Sequence, residues 1–404
     1  MSSSEMLFTP FPRKPVADLR QLKSIHLNFI VEEILKRRDL FRYEYLNVLL
    51  PDETDSLNCD EITPFCPFDC LRTVKLITKR CPTFKMLHFH TYIESRRARK
   101  FANKALNEAI QGLKFLQEIN FYDCWLSRSI IKSIALNCPN LRELYLHDTS
   151  IEDDDLKILL KKESVIKNSL TKLLIDETRI KEESIKQCLL NLQNLTYFQS
   201  DKTIQAALQL FETVKHSAEA SDAIPKFKTT VFKNIFFRIN KKLLTDDFLK
   251  WLGEKFPEVK YLNILLREEY NEFVSCLIIS WKHITQLELT SLGKEETVSA
   301  LIPAIVSCEN LITLKLEKFW NLLLSVLSSK NIEKVFFCDQ SSFISPLIKD
   351  LLERNCLRNL KELKVMRCFI GIDCIWELLR HAIPVTDIEL WVGPRTVRLF
   401  RRIP

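Results

Sequence analysis

Glycine is scarce in this chain, which contains only five among its 404 residues. No two of them lie close enough together to form the loop that cradles nucleotide phosphates, so the sequence predicts no nucleotide-binding motif. The seven histidines are scattered and form no H-E-x-x-H pair, the arrangement that carries the zinc of many hydrolases. These absences point away from catalysis. We therefore expect no catalytic residues, no cofactor and a function that lies in binding.

Long apolar runs are missing as well. No stretch approaches the roughly 18 uninterrupted apolar residues that a membrane-spanning helix requires. The opening segment MSSSEMLFTPFPRKP lacks the apolar core of a signal peptide. We therefore expect a soluble protein without membrane contact, located in the cytoplasm, the nucleus or both.

Cysteine, by contrast, is frequent, with 13 residues. The number is odd, several cysteines fall at equivalent places in the repeats described below, and no signal sequence directs them to an oxidising compartment, which favours reduced and buried thiols. One group resembles a metal site and comprises Cys59, Cys66, Cys70, Cys81, His88 and His90. Its spacing contains no C-x-x-C pair and fits no compact zinc finger, so we expect no metal.

A hydrophobic hexamer of the form L-x-x-L-x-L recurs about every 27 residues through most of the chain. Its copies begin at Phe84, Leu116, Leu141, Leu170, Leu195, Val259, Ile284, Leu311, Ile332, Leu360 and Val385, with a poorer copy at Phe227. This pattern resembles the leucine-rich repeat, which implies an α/β horseshoe solenoid with parallel strands on its concave side and helices on its convex side. Residues 66–404 would form about 12 such repeats, preceded by a small helical N-terminal module at residues 1–65.

Apolar residues at three- and four-residue spacing predict helices between the hexamers. Residues 127–137 and 71–80 each form such a pattern and stop at a Cys-Pro pair. Further helices are predicted at 152–161, 182–192, 246–255, 295–307, 322–328, 345–354 and 371–381. The acidic run at 152–155 opens one of them, where carboxylates cap free N–H groups. Residues 202–226 are rich in small side chains and are predicted to form an irregular loop.

Side chains alternate across a strand, so the hexamer also predicts which residues face the core. The last two leucines of each copy point inward, and the residues flanking the fourth position point to the concave face. Four aromatic residues fall in that row, namely Tyr145, Tyr197, Tyr261 and Phe336. Because aromatic side chains dominate the energetics of protein interfaces, we expect them to anchor a protein or peptide partner.

The N-terminal module holds a strongly amphipathic helical pattern at residues 16–36. Within it, the segment LKSIHLNFI resembles the Elongin-C-binding box, L-x-x-x-C-x-x-x-apolar, of leucine-rich-repeat substrate receptors in Elongin-BC/cullin ubiquitin ligases. The resemblance aligns Leu22 and Ile30 with the apolar ends of the box. It aligns His26 with the cysteine of the box, and Phe29 lies on the same apolar stripe.

A second element of that family has a counterpart after the helix. Leu50-Pro51 occupies the place of the apolar-Pro pair that favours the cullin. The resemblance therefore implies an adaptor-binding site made of Leu22, His26, Phe29, Ile30, Leu50 and Pro51. Two alternatives stay open for the module. Besides an Elongin-C-binding element, the module fits an F-box-like element that binds Skp1, and it fits a helical cap that shields the first repeat, as solenoid ends require.

Basic residues outnumber acidic residues, 59 to 52, and give a net charge of +7. They cluster at residues 96–100 (RRARK), at 241–242 and in the C-terminal tail, and such clusters can follow phosphates or acidic lipids. A charge of +7 is modest for this length, and no RNA-binding motif accompanies it. A solvated surface is the preferred interpretation, and no nucleic-acid partner is expected. The sequence thus favours a non-enzymatic receptor for a protein substrate over a scaffold or nucleic-acid-associated protein without a ligase connection.

Overall fold

The computed structural model describes residues 22–36, 43–58, 67–89, 96–236, 244–266, 270–281, 283–291, 301–317, 325–327, 332–338, 345–357, 359–366, 371–380, 387–392 and 395–400. The chain divides into two compact units, Met1–Ile180 and Lys181–Pro404. Both units alternate short strands with helices in chain order. Each is described by itself below.

The first unit begins with two helices and continues with strand and helix pairs. Its elements are α1 (Ser24–Lys36), α2 (Tyr43–Leu49), β1 (Ser56–Asn58), α3 (Pro67–Arg80), β2 (Met86–His88), α4 (Arg96–Gly112), β3 (Glu118–Asn120), α5 (Arg128–Asn137), β4 (Glu143–Tyr145), α6 (Asp153–Leu160), a 3-10 helix (Val165–Asn168) and β5 (Lys172–Leu174). Strands β1 to β5 pair in chain order, and every pair is parallel. Strand β1 lies in the region predicted as the helical module and pairs with β2, so that region supplies a strand as well as helices.

The second unit continues the same alternation. Its elements are α7 (Glu182–Asn191), β6 (Tyr197–Gln199), α8 (Thr203–Val214), α9 (Ala218–Asp222), β7 (Val231–Phe236), α10 (Asp246–Lys255), β8 (Tyr261–Leu266), α11 (Asn271–Ser280), β9 (Gln286–Ser291), α12 (Leu301–Ser307), β10 (Thr313–Glu317), β11 (Lys334–Cys338), α13 (Ser345–Glu353), β12 (Glu362–Met366), α14 (Ile372–Arg380), β13 (Asp387–Val392) and β14 (Arg395–Phe400). Strands β7 to β13 pair in parallel in chain order, and β14 turns back antiparallel to β13. Parallel strands that alternate with helices along the chain are the α/β leucine-rich-repeat fold that the hexamers predict.

Burial along the strands confirms the predicted phase. Leu144 and Leu146 are fully buried, whereas Glu143 and Tyr145 between them are half-buried. The pattern holds in the second unit, where Leu314 and Leu316 are fully buried. Removing a leucine side chain from water contributes ~2 kcal/mol, so stacking many such strands stabilises repeats that are too small to fold singly.

The predicted helix ends are also confirmed. Helix α5 stops at Asn137, and the Cys138 N–H donates to the Ile134 carbonyl across 3.3 Å. Helix α3 stops at Arg80, and the Cys81 N–H donates to the Ile77 carbonyl across 2.8 Å. Both cysteines are fully buried. The Cys-Pro pair thus caps the helix and turns the chain toward the next strand, since proline cannot continue a helix.

A common turn follows strands β3, β4 and β5. The third residue after each strand has a left-handed backbone, with φ of 52° at Asp123, 55° at Asp148 and 55° at Glu177. Successive turns are bonded to one another, because the Asp148 N–H donates to the Asp176 carbonyl across 2.9 Å. Aspartate tolerates this conformation better than most residues, which fits Asp123 and Asp148 but not Glu177.

Two sequence predictions about the second unit were wrong. The segment 202–226 is not an irregular loop, because it contains α8 and α9. Ile204, Leu208 and Phe211 are buried along one side of α8, at a helical spacing that the small residues further along the segment obscured. The agreement elsewhere is close, and α10 has the predicted bounds. Parts of the predicted helices 295–307 and 322–328 lie outside the described residues.

The poorer hexamer copy at Phe227 was out of register by two residues. Val231 pairs with Tyr261, the third position of its hexamer, so the copy begins at Thr229. Phe227 instead stacks on Phe256 with ring centroids 4.6 Å apart, before the strand starts. Phe227 is apolar because it packs against the residue that caps the end of α10, in the segment that leads into β7.

Candidate protein-binding surfaces

Helix α1 buries one apolar face and exposes another. The buried face comprises Leu27, Val31 and Leu35. On the opposite side of the helix, Ile25 is 72% exposed and Phe29 is 64% exposed, and Leu22, two residues before the helix begins at Ser24, is 38% exposed. Ile25 and Phe29 are spaced i and i+4 within α1, so they form one exposed apolar stripe on the helix. His26 is exposed beside them and Ile30 is half-buried. The structure therefore brings four of the predicted adaptor-binding residues together on or beside an exposed apolar stripe.

The buried face of α1 is fixed to the segment that follows α2. The Thr54 hydroxyl donates to the Asn28 side-chain oxygen across 3.0 Å, and Thr54 is buried. The Ser24 hydroxyl donates to Glu53 across 3.0 Å at the exposed start of the helix. These two bonds hold α1 in one orientation, with its apolar stripe outward.

Leu50 and Pro51 do not belong to this stripe. Leu50 is 1% exposed and Pro51 is also buried. The Pro51 carbonyl accepts a hydrogen bond from the buried Cys81 thiol across 3.4 Å. The pair therefore joins the N-terminal helices to the end of α3 as part of the core, and its side chains are not displayed with Leu22 and Phe29.

The exposed face of the first unit's sheet is a polar network built around acidic residues. The Tyr145 hydroxyl donates to Glu143 across 2.6 Å, and the Lys172 ammonium lies 3.1 Å from the same carboxylate. Lys172 also lies over the Tyr145 ring, 4.7 Å from its centroid. His88 contacts Glu118 at 2.7 Å. Burial alone would raise the pKa of Glu143, but the bonds from Tyr145 and Lys172 outweigh it and hold that pKa below its ordinary value.

The second unit repeats this arrangement at Glu288. The Tyr261 hydroxyl donates to Glu288 across 2.7 Å, and Lys315 forms an ion pair with the same carboxylate. Burial would raise the pKa of Glu288, but its bonds to Lys315 and Tyr261 lower it overall. Burial, together with the Glu288 carboxylate, raises the pKa of Tyr261. The neighbouring Tyr197 hydroxyl donates to Gln199 across 3.1 Å.

A third copy of the arrangement surrounds Glu362. Lys334 and Lys364 lie 3.1 Å and 2.9 Å from its carboxylate. Lys364 also lies over the Phe336 ring, 5.1 Å from the centroid. All four aromatics predicted as anchors are thus half-buried and engaged with a polar or cationic neighbour. The acids and lysines of these networks occupy the outward row that the hexamers predict, but the sequence did not predict their pairing with one another and with the aromatics.

The other sequence-level candidates have structural roles among the described residues. Glu152 and Asp155 form a capping box at the start of α6, in which the Glu152 N–H donates to Asp155 across 3.1 Å. Seven described cysteines are buried: Cys81, Cys124, Cys138, Cys188, Cys308, Cys338 and Cys374. Within the described residues, no group of three or more His, Cys, Asp or Glu side chains is arranged to hold a metal ion. Cys59, Cys66 and His90 lie outside the described residues.

Helix length and apolarity bear on membrane contact. Across the described part of the chain, no helix is both long enough and apolar enough to cross a membrane.

Comparison with known proteins gives similarity at the level of solved structures. No protein-family model matches the sequence, and no curated protein matches it. The leucine-rich-repeat protein LegL7 from Legionella pneumophila is 14% identical over 69% of this chain and 93% of that chain, with a TM-score of 0.40. The complex of Rad7 and Elc1 from yeast gives 14% identity, 78% and 83% coverage and a TM-score of 0.43. An internalin, InlF, from Listeria monocytogenes gives 12% identity, 86% and 99% coverage and a TM-score of 0.34.

Proposed function

We propose that this chain is a non-catalytic, protein-binding repeat protein that acts as the substrate-recognition subunit of a cullin-RING ubiquitin ligase. In this proposal, α1 docks on an Elongin-C-type adaptor and the repeats capture the protein substrate. The observation that carries the proposal is the exposed apolar stripe of α1, formed by Ile25 and Phe29, with the exposed Leu22 just before the helix. The sequence resemblance of the same segment to the Elongin-C-binding box supports the identity of the partner.

The geometry of the stripe fits one known mode of recognition. An amphipathic helix that enters an apolar groove uses anchors at i, i+3, i+4 and i+7. Here Ile25 and Phe29 supply an i, i+4 pair of anchors on α1, with His26 beside them and Leu22 just before the helix. Large side chains at such positions contribute most of the binding energy when they become buried. Asn28 and Thr54 hold the helix in place, so little order would have to be gained on docking.

The same stripe argues against a simple helical cap. A cap protects the end of a solenoid by covering apolar surface with its inner face and presenting a polar outer face to water. Helix α1 does the first through Leu27, Val31 and Leu35, but its outer face carries Ile25 at 72% exposure and Phe29 at 64% exposure. Exposed apolar residues grouped on one surface are a common mark of an interaction site.

The repeats supply the second surface of the proposal. Tyr145, Tyr197, Tyr261 and Phe336 remain the proposed partner-binding residues on the sheet faces of the two units. Because each ring already contacts a lysine, a carboxylate or an amide, a substrate would bind the edges of these networks rather than bare rings. Such a surface favours a partner whose polar groups replace water in hydrogen bonds to these side chains.

A binding assay with purified adaptors tests the proposal. Full-length protein is immobilised and incubated separately with Elongin B–Elongin C and with Skp1. Ile25→Asp and Phe29→Asp are expected to abolish Elongin retention, while Leu136→Asp is expected to retain it. Leu136 is the matched control, since it is an apolar residue of α5 that is 45% exposed. Unchanged far-ultraviolet circular dichroism shows that each variant is folded.

The outcomes separate the alternatives. Retention of Skp1 alone would show that α1 belongs to an F-box-like element and not to an Elongin-C-binding box. Retention of neither adaptor by the folded wild-type protein would leave a scaffold without a ligase connection, and the ligase proposal would be rejected.

A further inference from the structure

An open groove of about 270 Å³ lies in the first unit, where the loop after β3 meets α4. Its lining residues are Arg96, Arg99, Asn103, Trp125, Leu126 and Ser127. None of them belongs to α1 or to the sheet networks described above. Among the residues that the structure describes, the lining includes two arginines, one indole and no acidic side chain. It is therefore both cationic and aromatic.

Hydrogen bonds between side chains and the loop backbone hold the tryptophan of the groove in place. The Asn103 side-chain amide donates to the Trp125 carbonyl across 3.0 Å, and its oxygen accepts the Ser127 N–H across 2.6 Å. One residue before Trp125, the buried Cys124 thiol donates to the Phe89 carbonyl across 3.2 Å. Trp125 is nevertheless 51% exposed. The loop is thus fixed on both sides of an indole that is available to a partner, and this pre-organisation lowers the entropic cost of binding.

An arginine covers part of this indole. The Arg99 guanidinium lies over the Trp125 ring, 4.5 Å from its centroid. Stacking of this kind orients the guanidinium, which reduces the freedom lost when it binds a carboxylate. Arg96 and Lys100 are exposed on the same helix. The groove also borders the start of α5, where Ser127 makes no side-chain capping bond and the helix dipole adds positive potential.

The positive surface stops at the next repeat. Arg128, which follows Ser127, lies 3.5 Å from Asp154 and 3.3 Å from Asp155. The start of α6 also carries Asp153. A strand of nucleic acid needs a longer cationic track with several aromatic platforms for successive bases. Here one indole is followed by acidic residues, so a continuing row of phosphates would be repelled.

We propose that this groove binds a short acidic segment of a partner protein. Carboxylates of that segment pair with Arg96 and Arg99, and an adjacent apolar side chain packs on the exposed part of Trp125. The dimensions suit a few residues, because a groove of about 270 Å³ is near the lower end of the volumes that hold small ligands. The inference does not rest on adaptor docking, which uses a different helix.

Fluorescence anisotropy with the full-length protein tests this inference. The probes are a labelled eight-residue peptide of glutamates and aspartates with a central leucine, its glutamine and asparagine counterpart, and a labelled twelve-nucleotide oligothymidine. The acidic peptide is expected to bind at least about tenfold more tightly than its neutral counterpart and than the oligothymidine. A tenfold difference corresponds to ~1.4 kcal/mol.

Variants locate the binding site. Trp125→Ala and Arg96→Glu are each expected to weaken acidic-peptide binding at least about fivefold, which is about 1 kcal/mol of binding energy. Trp376→Ala is the matched aromatic control, since Trp376 of α14 is 57% exposed. Lys104→Glu is the matched charge control, since Lys104 is exposed on α4 outside the groove.

Three results would overturn the inference. These are no binding of the acidic peptide, tighter binding of the oligothymidine, and equal losses in the groove variants and their controls. Arg96 is exposed at the start of α4, so Arg96→Glu tests the site without disturbing the core. A fold check by circular dichroism accompanies each titration.

Discussion

Thr54 donates a hydrogen bond to the Asn28 side chain across 3.0 Å and thereby ties α1 to the segment after α2. Thr54→Val is expected to destabilise the protein by about 1–2 kcal/mol, because a part-buried hydrogen bond is lost. Amide hydrogen exchange in α1 should also become faster. Thr171→Val is the control, since its bond to the Arg142 carbonyl is exposed. Unchanged exchange in α1 would show that Thr54 does not hold the helix.

The strand phase predicts a sharp contrast between adjacent residues. Leu144→Ala and Leu314→Ala remove fully buried side chains and are expected to cost ~2–5 kcal/mol through lost transfer energy and a cavity. Glu143→Ala is expected to cost only about 1 kcal/mol, since it removes hydrogen bonds from a half-buried face. Urea unfolding measures all three variants. Equal destabilisation would contradict the assigned phase.

The acidic centres of the sheet networks predict a loss of stability at low pH. Burial would raise the pKa of Glu143, Glu288 and Glu362, but hydrogen bonds and nearby lysines lower all three. A carboxyl with a lowered pKa binds its proton more weakly in the folded state. Its contribution is therefore full above the unfolded pKa of about 4.3 and is lost as pH falls through the folded pKa.

Urea unfolding at a series of pH values from neutral to below 4 measures this loss. Glu288→Gln is expected to lower stability at neutral pH and to reduce the further loss on acidification, because one of the three titrating groups is gone. Glu254→Gln is the control, since Glu254 is an exposed residue of α10. An acid limb that is identical in wild type and Glu288→Gln would contradict the prediction.

Replacing His26 by cysteine is expected to increase the affinity for Elongin-C. It occupies the cysteine position of the box and is exposed beside Ile25 and Phe29. His26→Cys replaces a polar ring by a small apolar side chain, so Elongin-C retention is expected to increase. His283→Cys is the control, since His283 is exposed in the second unit. No change in retention on His26→Cys would count against an Elongin-C groove and would favour Skp1.

Buried thiols are expected to resist alkylation until the protein unfolds. Burial raises the pKa of Cys81 to about 11 and that of Cys138 to about 12, with partial offsets from Arg80 and Lys114. The thiolate is the reactive species, so almost none is present at pH 8. Iodoacetamide labelling followed by mass spectrometry should find Cys356, which is half-exposed, modified before the buried cysteines of the described residues. Labelling of Cys138 in the folded protein at the same rate would contradict its burial.

The sequence alone determined the repeat and much of its local detail. Alternation of Leu144 and Leu146 with Glu143 and Tyr145 follows from strand geometry, which involves only neighbouring residues. The helix end at Cys138-Pro139 is also a local signal, because proline cannot continue a helix. The strand alternation recurs from repeat to repeat, so each copy supports the prediction made from the others. The prediction failed where a repeat is irregular, at Phe227, whose apolar side chain stacks on Phe256 rather than opening a strand.

Only the tertiary structure decided which surfaces of these elements are displayed. Helix α1 has apolar residues on two sides, and nothing local states that Leu27 is buried while Phe29 is exposed. That choice depends on Thr54, which lies 26 residues from Asn28 in the chain. Leu50 has the sequence features of a docking residue yet is buried. In the same way, Lys172 reaches the Tyr145 ring only because parallel pairing sets their repeats side by side. Contacts between distant segments depend on packing of the whole unit, and no local pattern encodes them.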